Sequence, residues 1–224
     1  MPASRTALTE KTIAITRPLA QARAVVERLY DLGANPVATP TIEIVPPLDF
    51  APLDAAVRNL ASYDWLLFTS VNGVEIFMER SRLLHIDPAM LSGLRIGAIG
   101  PATARAIAKY RGAVAFVPSS YQAESILAEI GEVSGKRLLL PRAELARPVL
   151  ALGLRDLGAM VDEIPAYRTV PGPGTQVLAE RLRAGEVDAI AFTSSSTVRF
   201  FYQGLRKLEM TETEIARLLA RAYL

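Results

Sequence analysis

Two short segments carry the side chains best suited to chemistry. Thr69-Ser70-Val71-Asn72-Gly73 and Thr193-Ser194-Ser195-Ser196-Thr197 each follow an apolar run ending in Phe, and each leads into a helix-like stretch. Gly100-Pro101-Ala102-Thr103 has the same setting, while Arg17 and Arg142 each close a short apolar run. A helix N-terminus presents free backbone N–H groups to an anion, and Arg grips a carboxylate through two parallel hydrogen bonds. The chemistry on offer is therefore recognition of an anionic small ligand. Each segment also has a plainer reading. Ser, Thr and Asn before a helix are ordinary N-caps, Asn72-Gly73 can serve a tight turn, and Arg17 and Arg142 can simply solvate strand ends. Tyr167, in the proline-flanked "IPAYRTVPGPG", is either a ligand-facing hydrogen-bonding group or a packing residue.

Several function classes are excluded or disfavoured. The 224 residues contain no cysteine, which rules out disulfides, thiolate chemistry and cysteine-ligated metal. The one histidine, His85 in "RLLHIDP", falls where a helix should end and reads as a solvated or capping residue. No Ser-His-Asp arrangement, metal-ligand spacing, Walker loop or G-x-G-x-x-G is present. Of the 25 basic residues 21 are Arg, scattered rather than clustered, so no nucleic-acid stripe is formed. No apolar run approaches the roughly 20 residues of a membrane span. "MPASRTALTEK" lacks the apolar core of an export signal, which makes the cytoplasm the expected location.

The elements that must position these residues repeat. "LYDLGANPVATPTIEIVP" from Leu29 aligns with "LRDLGAMVDEIPAYRTVP" from Leu154, with Asp31/Asp156, Gly33/Gly158, Pro40/Pro165 and Pro46/Pro171 all offset by 125. Arg17 falls over Arg142 at the same offset, and "DWLLFTS" over "DAIAFTS" at 124. The chain reads as an internal duplication. In the first copy, "TIAIT", "TIEIV", "WLLFT", "RIGAIG" and "VAFVP" read as strands. Helices are predicted from Pro18 to about Leu32, from near Asn72-Gly73, from Pro101 and over "YQAESILAEIG". Gly33 is the expected stop of the first helix. Strands alternating with helices predict parallel sheets covered on both faces, with ligand-binding residues beyond the carboxyl ends of the strands. The second copy ends where its "IGPATA" equivalent is due. The expectation is a C-terminal lobe without its final strands and helices, whether shortened or naturally brief.

In their order along the chain, "ITRP…LGA", "DWLLFTSVNGVEIF", "IGAIGPATARAI", "VPSSYQAESIL", "GKRLLLPRAELARPVLALGLRDLGAMVDEIPAYRTVP" and "GEVDAIAFTSSSTVRFF" resemble the uroporphyrinogen-III synthase family, from Lys11 to about Leu208. The resemblance implies two flavodoxin-like α/β lobes joined by a two-stranded β-ladder, with a cleft between them. Lobe 1 would combine 1–38 with 173–224, lobe 2 would span 48–163, and 39–47 and 164–172 would be the connecting strands.

The implied reaction is cyclisation of hydroxymethylbilane to uroporphyrinogen III, with inversion of ring D and loss of water, using no metal or organic cofactor. By the same resemblance Tyr167 and Thr103 are candidate catalytic residues. Arg17, Thr69, Ser70, Asn72, Gly73, Gly100, Arg142, Thr193, Ser194 and Ser195 are candidate substrate-binding residues. The implied partners are the small-molecule substrate and, transiently, hydroxymethylbilane synthase; the implied state is a monomer, with no nucleic acid and no membrane. Two other readings stay open on the residues alone. One is a bilobed module that binds an anionic tetrapyrrole without turnover, and the other is a flavodoxin-like regulatory domain, which would want an acidic strand end where this chain has Thr, Ser and Arg.

Overall fold

"WLLF" is apolar at every position, so it suits a strand covered on both faces, as the interior of a parallel sheet requires. It forms β4 (Trp65–Phe68), with all four residues buried. The computed structural model describes residues 8–110 and 112–224. The described chain divides into two compact units. One holds residues up to Ile44 together with Thr169–Leu224, and the other holds Val45–Arg168. The implied start of lobe 1 reaches residues 1–7, which lie outside the described residues.

In the Val45–Arg168 unit, β4 pairs in parallel with β5 (Arg95–Ala98) on one side and β7 (Arg137–Ala143) on the other. β6 (Val114–Phe116) extends the sheet beyond β5. β8 (Met160–Pro171) runs parallel to β7 and carries the chain out of the unit. β3 (Ile42–Val45) leads into the unit, and within the unit the strand order is β8-β7-β4-β5-β6. The period-2 alternation of a strand sends Trp65 and Leu67 to one face. There they meet Leu138, Leu140 and the apolar residues of α5 (Ala123–Glu129) and α6 (Val149–Asp156). On the other face Phe68 meets Phe77 of α3 (Val71–Leu83) edge to face, with centroids 5.4 Å apart. Two further helices, α2 (Ala51–Arg58) and α4 (Pro101–Lys109), pack on α3.

The other unit has a parallel sheet of order β2-β1-β9, made of β2 (Asn35–Ala38), β1 (Thr12–Ile15) and β9 (Ala189–Ala191). Alternation again sorts the faces. Ile13 and Ile15 pack with Ala22, Val25 and Val26 of α1 (Leu19–Asp31). Ala14 and Ile190 pack with Leu178 and Leu182 of α7 (Gly174–Ala184), Phe201 and Leu205 of α8 (Ser195–Lys207), and Ile215 and Leu218 of α9 (Glu212–Leu219). Tyr223 forms an isolated parallel bridge with Ala189.

The α/β order and the parallel pairing agree with the sequence reading. Gly33 stops α1 with φ +85°, a left-handed backbone that favours glycine. His85 follows α3 with φ +55° and donates its backbone N–H to Arg82 O at 3.1 Å, a helix-end residue as expected. Pro18 corrects a detail, because it is the N-cap of α1 and not its first helical residue. The elements β2, α2, α7 and α9 went unread, as did the short 3-10 turns at Leu60–Ser62 and Pro88–Gly93. Among the described residues, no helix is long and apolar enough to cross a membrane.

Candidate functional site

β4 delivers Phe68 to the carboxyl edge of its sheet, and Ser70 turns the chain into α3. Ser70 sits in extended backbone (φ −162°, ψ 157°), and its Oγ accepts a hydrogen bond from Gly73 N at 3.0 Å. That satisfies one of the free N–H groups of the first turn. The plain capping reading of Ser70 is therefore correct, but it is incomplete. Tyr167, arriving on β8, donates its phenol hydroxyl to the same Ser70 Oγ at 3.0 Å. Tyr167 is 7% exposed, so its ring packs while its hydroxyl stays engaged.

Backbone contacts fix both partners. The β7–β8 register shifts between Arg142 and Ala143, which sets Tyr167 opposite Ala143, and Tyr167 O accepts from Glu144 N at 2.9 Å. A Cβ on Gly73 would stand 2.9 Å from Pro141 O, so only glycine lets α3 sit this close to the end of β7.

Around this pair, Thr69 and Asn72 are half-buried. Thr103 is buried at 4% exposure in the first turn of α4, at the end of β5, the strand beside β4. Gly100 caps α4 in extended backbone, and a Cβ there would come within 3.0 Å of the Tyr121 ring. Arg142 does not project into solvent. It is 7% exposed, its Nη2 donates to Arg147 O at 3.0 Å, and its Nη1 lies 3.4 Å from Glu163 Oε2. Burial pushes the guanidinium pKa down, against the opposing pull of Glu163. Its Nε is buried without a hydrogen-bond partner.

In the other unit, Ser194 repeats the cap. Its backbone is extended (φ −161°, ψ 159°) and its Oγ accepts from Thr197 N at 3.3 Å. Thr193, Ser194 and Ser195 are exposed, and Arg17 is half-buried with its Nε unpartnered. Sequence reasoning missed the buried hydroxyls of this unit. Thr41 Oγ1 donates to Thr197 O at 3.0 Å and lies 3.3 Å from Thr16 O, and Thr16 Oγ1 donates to Ala191 O at 2.8 Å. The "TPT" of residues 39–41 was the available signal, since threonine between prolines in an otherwise apolar strand asks for a hydrogen-bond partner. Glu163 was missed too, although it faces Arg142 from the neighbouring strand.

An electrostatic cluster also marks the opposite edge of the β8-β7-β4-β5-β6 sheet. Tyr63 donates to Asp162 at 2.6 Å, and Arg137 Nη2 donates to the same oxygen at 2.8 Å while its guanidinium stacks 4.6 Å over the Tyr63 ring. Arg137 opens β7, which puts the cluster at the amino ends of the strands, away from Ser70. Among the described residues, no three His, Asp or Glu side chains converge as a metal site would need.

The profile of one family, described as uroporphyrinogen-III synthase HemD, matches residues 23–220. The chain belongs to the uroporphyrinogen-III synthase family. A uroporphyrinogen-III synthase of Synechococcus elongatus is 36% identical over 200 residues, covering 86% of this chain and 74% of that protein. One from Chlorobaculum parvum is 29% identical over 210 residues, covering 91% and 82%. Among solved structures, a mutant uroporphyrinogen III synthase of Thermus thermophilus superposes with a TM-score of 0.66 at 27% identity, covering 87% of this chain and 77% of that one. The mixed α/β fold with parallel sheets is thus the fold of the family. Membership makes this chain a porphyrin-biosynthesis enzyme of the uroporphyrinogen-III synthase type.

Proposed function

We propose that this chain cyclises hydroxymethylbilane to uroporphyrinogen III, with inversion of ring D and loss of water, and that Tyr167 is the residue that assists departure of the hydroxyl. The observation that carries the reading is the Tyr167 phenol, held 3.0 Å from Ser70 at the carboxyl edge of a parallel sheet in a chain of this family. Loss of the hydroxyl leaves an azafulvene cation, and attack through the substituted carbon of ring D gives a spiro intermediate that fragments and recloses. The enzyme's task is to hold a flexible, carboxylate-rich chain so that this carbon attacks first, which is catalysis by orientation. Thr103 is the second proposed catalytic residue, and Thr69, Ser70, Asn72, Gly73 and Gly100, with Arg17, Arg142, Thr193, Ser194 and Ser195, are the proposed substrate-holding groups. Helix N-termini and hydroxyls suit carboxylates, and Arg142 acts from a buried position.

The duplication belongs to the same proposal, with lobe 1 as 1–38 plus 173–224, lobe 2 as 48–163 and connecting strands at 39–47 and 164–172. Matching hydrogen bonds support it. Ser70 and Ser194 cap equivalent helices, and the strand pairs Leu140↔Glu163 and Ile15↔Ala38 are equivalent at an offset of 125. The small-molecule substrate, a monomeric working unit and transient contact with hydroxymethylbilane synthase follow from the same family reading.

The test is to supply hydroxymethylbilane to the folded chain, oxidise the products and separate the isomers. Isomer III is expected. Isomer I alone, the product of spontaneous closure, would overturn the proposal.

A further inference from the structure

Ser70 Oγ stands at a junction that capping does not require. A serine hydroxyl has one proton and two lone pairs. Gly73 N takes one lone pair at 3.0 Å and the Tyr167 hydroxyl takes the other at 3.0 Å. The proton of Ser70 is left to a third direction. The other copy of the motif supplies the comparison. Ser194 makes the same cap bond, from Thr197 N at 3.3 Å, but the position 125 residues before Tyr167 is Ile42, which has no hydroxyl to bring. A serine caps this helix type without a phenol, so the phenol is an addition to the cap in one unit only. Both ends of the contact are stiff. Gly73 presses α3 against Pro141 O, and the shifted β7–β8 register sets Tyr167 opposite Ala143.

We propose that Ser70 is the positioning residue of Tyr167 and that the two hydroxyls work as a relay. This rests on the reading of Tyr167 given above. At rest the phenol proton is held by Ser70 Oγ, which fixes the direction of the phenol oxygen. When the substrate hydroxyl reaches that oxygen, the phenol proton passes to it and the C–O bond breaks, its electron pair leaving with water. The Ser70 proton then turns onto the phenolate, and the positive end of α3 lies behind it. The proton shed when the closing pyrrole regains aromaticity restores the phenol, so no co-reactant is needed. Ser70 does not touch the reacting atoms; it acts through Tyr167.

The experiment uses Ser70→Ala, Tyr167→Phe and the double variant, with kcat, KM and the urea midpoint measured on the same preparations. Ser70→Ala should lower kcat on the order of tenfold to a hundredfold, the range of a hydrogen bond to a charged group, with a smaller change in KM. In the Tyr167→Phe background the same substitution should change kcat by less than about twofold, since two groups acting as a unit do not add. Ser70→Thr should restore most of the rate. Ser70→Asp keeps a capping oxygen but has no proton to give a phenolate, so it should stay slow at an unchanged urea midpoint. Equal losses from Ser70→Ala in both backgrounds, or a fully active Ser70→Asp, would overturn the proposal. Independently of turnover, the ¹³Cζ signal of Tyr167, assigned by its loss in Tyr167→Phe, should move in Ser70→Ala, and an unmoved signal would also overturn it. A wild-type chain that makes only isomer I defeats the functional reading instead, and the carbon signal still decides whether Ser70 holds the phenol.

Discussion

The carboxylate of Asp188 accepts a hydrogen bond from the backbone N–H of Thr12 at 2.8 Å, and Lys11 Nζ lies 2.8 Å from its other oxygen. Asp64 does the same for β7, accepting from Arg137 N at 2.8 Å with Lys136 Nζ at 3.4 Å. In each unit an aspartate just before one strand, β9 or β4, pins the first residue of the strand beside it, β1 or β7. The arrangement ties the strand order to two charges.

Acid should loosen both pins. Hydrogen bonds from Lys11 and Thr12 lower the Asp188 pKa, and the Arg137 backbone bond is the leading cause of the lowering at Asp64. A carboxylate whose folded pKa lies below its unfolded value of about 3.9 contributes stability that is fully present above that value. The contribution is lost as pH falls through the folded value, so the window lies below about pH 4. Asp64→Asn with Asp188→Asn is expected to lower the urea midpoint at pH 7 and to flatten its fall between about pH 4 and pH 2. Parallel midpoint curves for the variant and the wild type would refute this.

Gly73→Ala tests the close approach of α3 to β7. The added methyl would meet Pro141 O, a backbone atom, at 2.9 Å and Ser70 Oγ at 3.3 Å. Something must shift, at a cost of about 1–3 kcal/mol for overpacking. The expected result is a lower thermal midpoint with a larger loss of kcat than of stability, because the cap that orients Ser70 moves. Calorimetry beside steady-state kinetics measures both.

The contrast between Arg17 and Arg142 shows where the sequence stops being legible. The offset of 125 makes them equivalents, yet Arg17 lies beyond the end of β1 whereas Arg142 is still within β7. Arg142 is buried because Glu163 faces it from β8, whereas the position equivalent to Glu163 is Ala38, which offers Arg17 no charge. One substitution in a neighbouring strand decides burial, and only the register reveals it. The parallel α/β order, the buried β4, the Ser70 cap and the Gly33 stop were legible because each is local: an apolar run, a hydroxyl before a helix, a glycine after one. β2 was not, since "NPVA" has neither length nor alternation and carries Pro36, which an edge strand tolerates. The Tyr167–Ser70 contact joins residues 97 positions apart, across a register shift that no sequence periodicity encodes.

Tyr63 should make the fold sensitive to alkali. Burial, with its hydrogen bond to Asp162, raises its pKa to about 12. The unfolded phenol titrates at about 10. Between those values the folded state binds more protons than the unfolded state, so stability falls as pH rises through about 10 to 12. Tyr63→Phe is expected to remove that part of the alkaline loss, visible as a shallower decline of the urea midpoint across this window. An identical decline would show that Tyr63 does not report on unfolding.

Thr41→Val removes one buried hydroxyl while keeping the shape of the side chain. Thr41 is fully buried, and its Oγ1 reaches Thr197 O at 3.0 Å and Thr16 O at 3.3 Å. The substitution leaves those carbonyls without this donor, at an expected cost of about 1–3 kcal/mol for unsatisfied buried groups. Thr16 O still accepts from Thr41 N at 3.0 Å, so the burden falls mainly on Thr197 O, at the start of α8. Hydrogen exchange should therefore quicken in the first turn of α8 more than in β1. Uniform quickening across the unit would mean that Thr41 supports overall stability and not that turn.

The Arg142–Glu163 pair gives an asymmetric prediction. Replacing a buried ion with an apolar residue of similar length removes its desolvation penalty, whereas deleting its counter-charge leaves the ion buried and unpaired. Arg142 already carries an unpartnered Nε, and its pKa is lowered chiefly by burial. Arg142→Met loses the bond to Arg147 O, worth about 1 kcal/mol, and recovers part of that through relief of desolvation. Glu163→Gln recovers nothing. Glu163→Gln is therefore expected to lower the thermal midpoint more than Arg142→Met does. Arg142→Met should instead lower turnover, because the loop from Ala143 to Pro148 loses the anchor at Arg147 that lies next to Tyr167's partner strand. A larger stability loss for Arg142→Met would show that the contact with Arg147, and not the balance of charge, is what keeps the guanidinium buried.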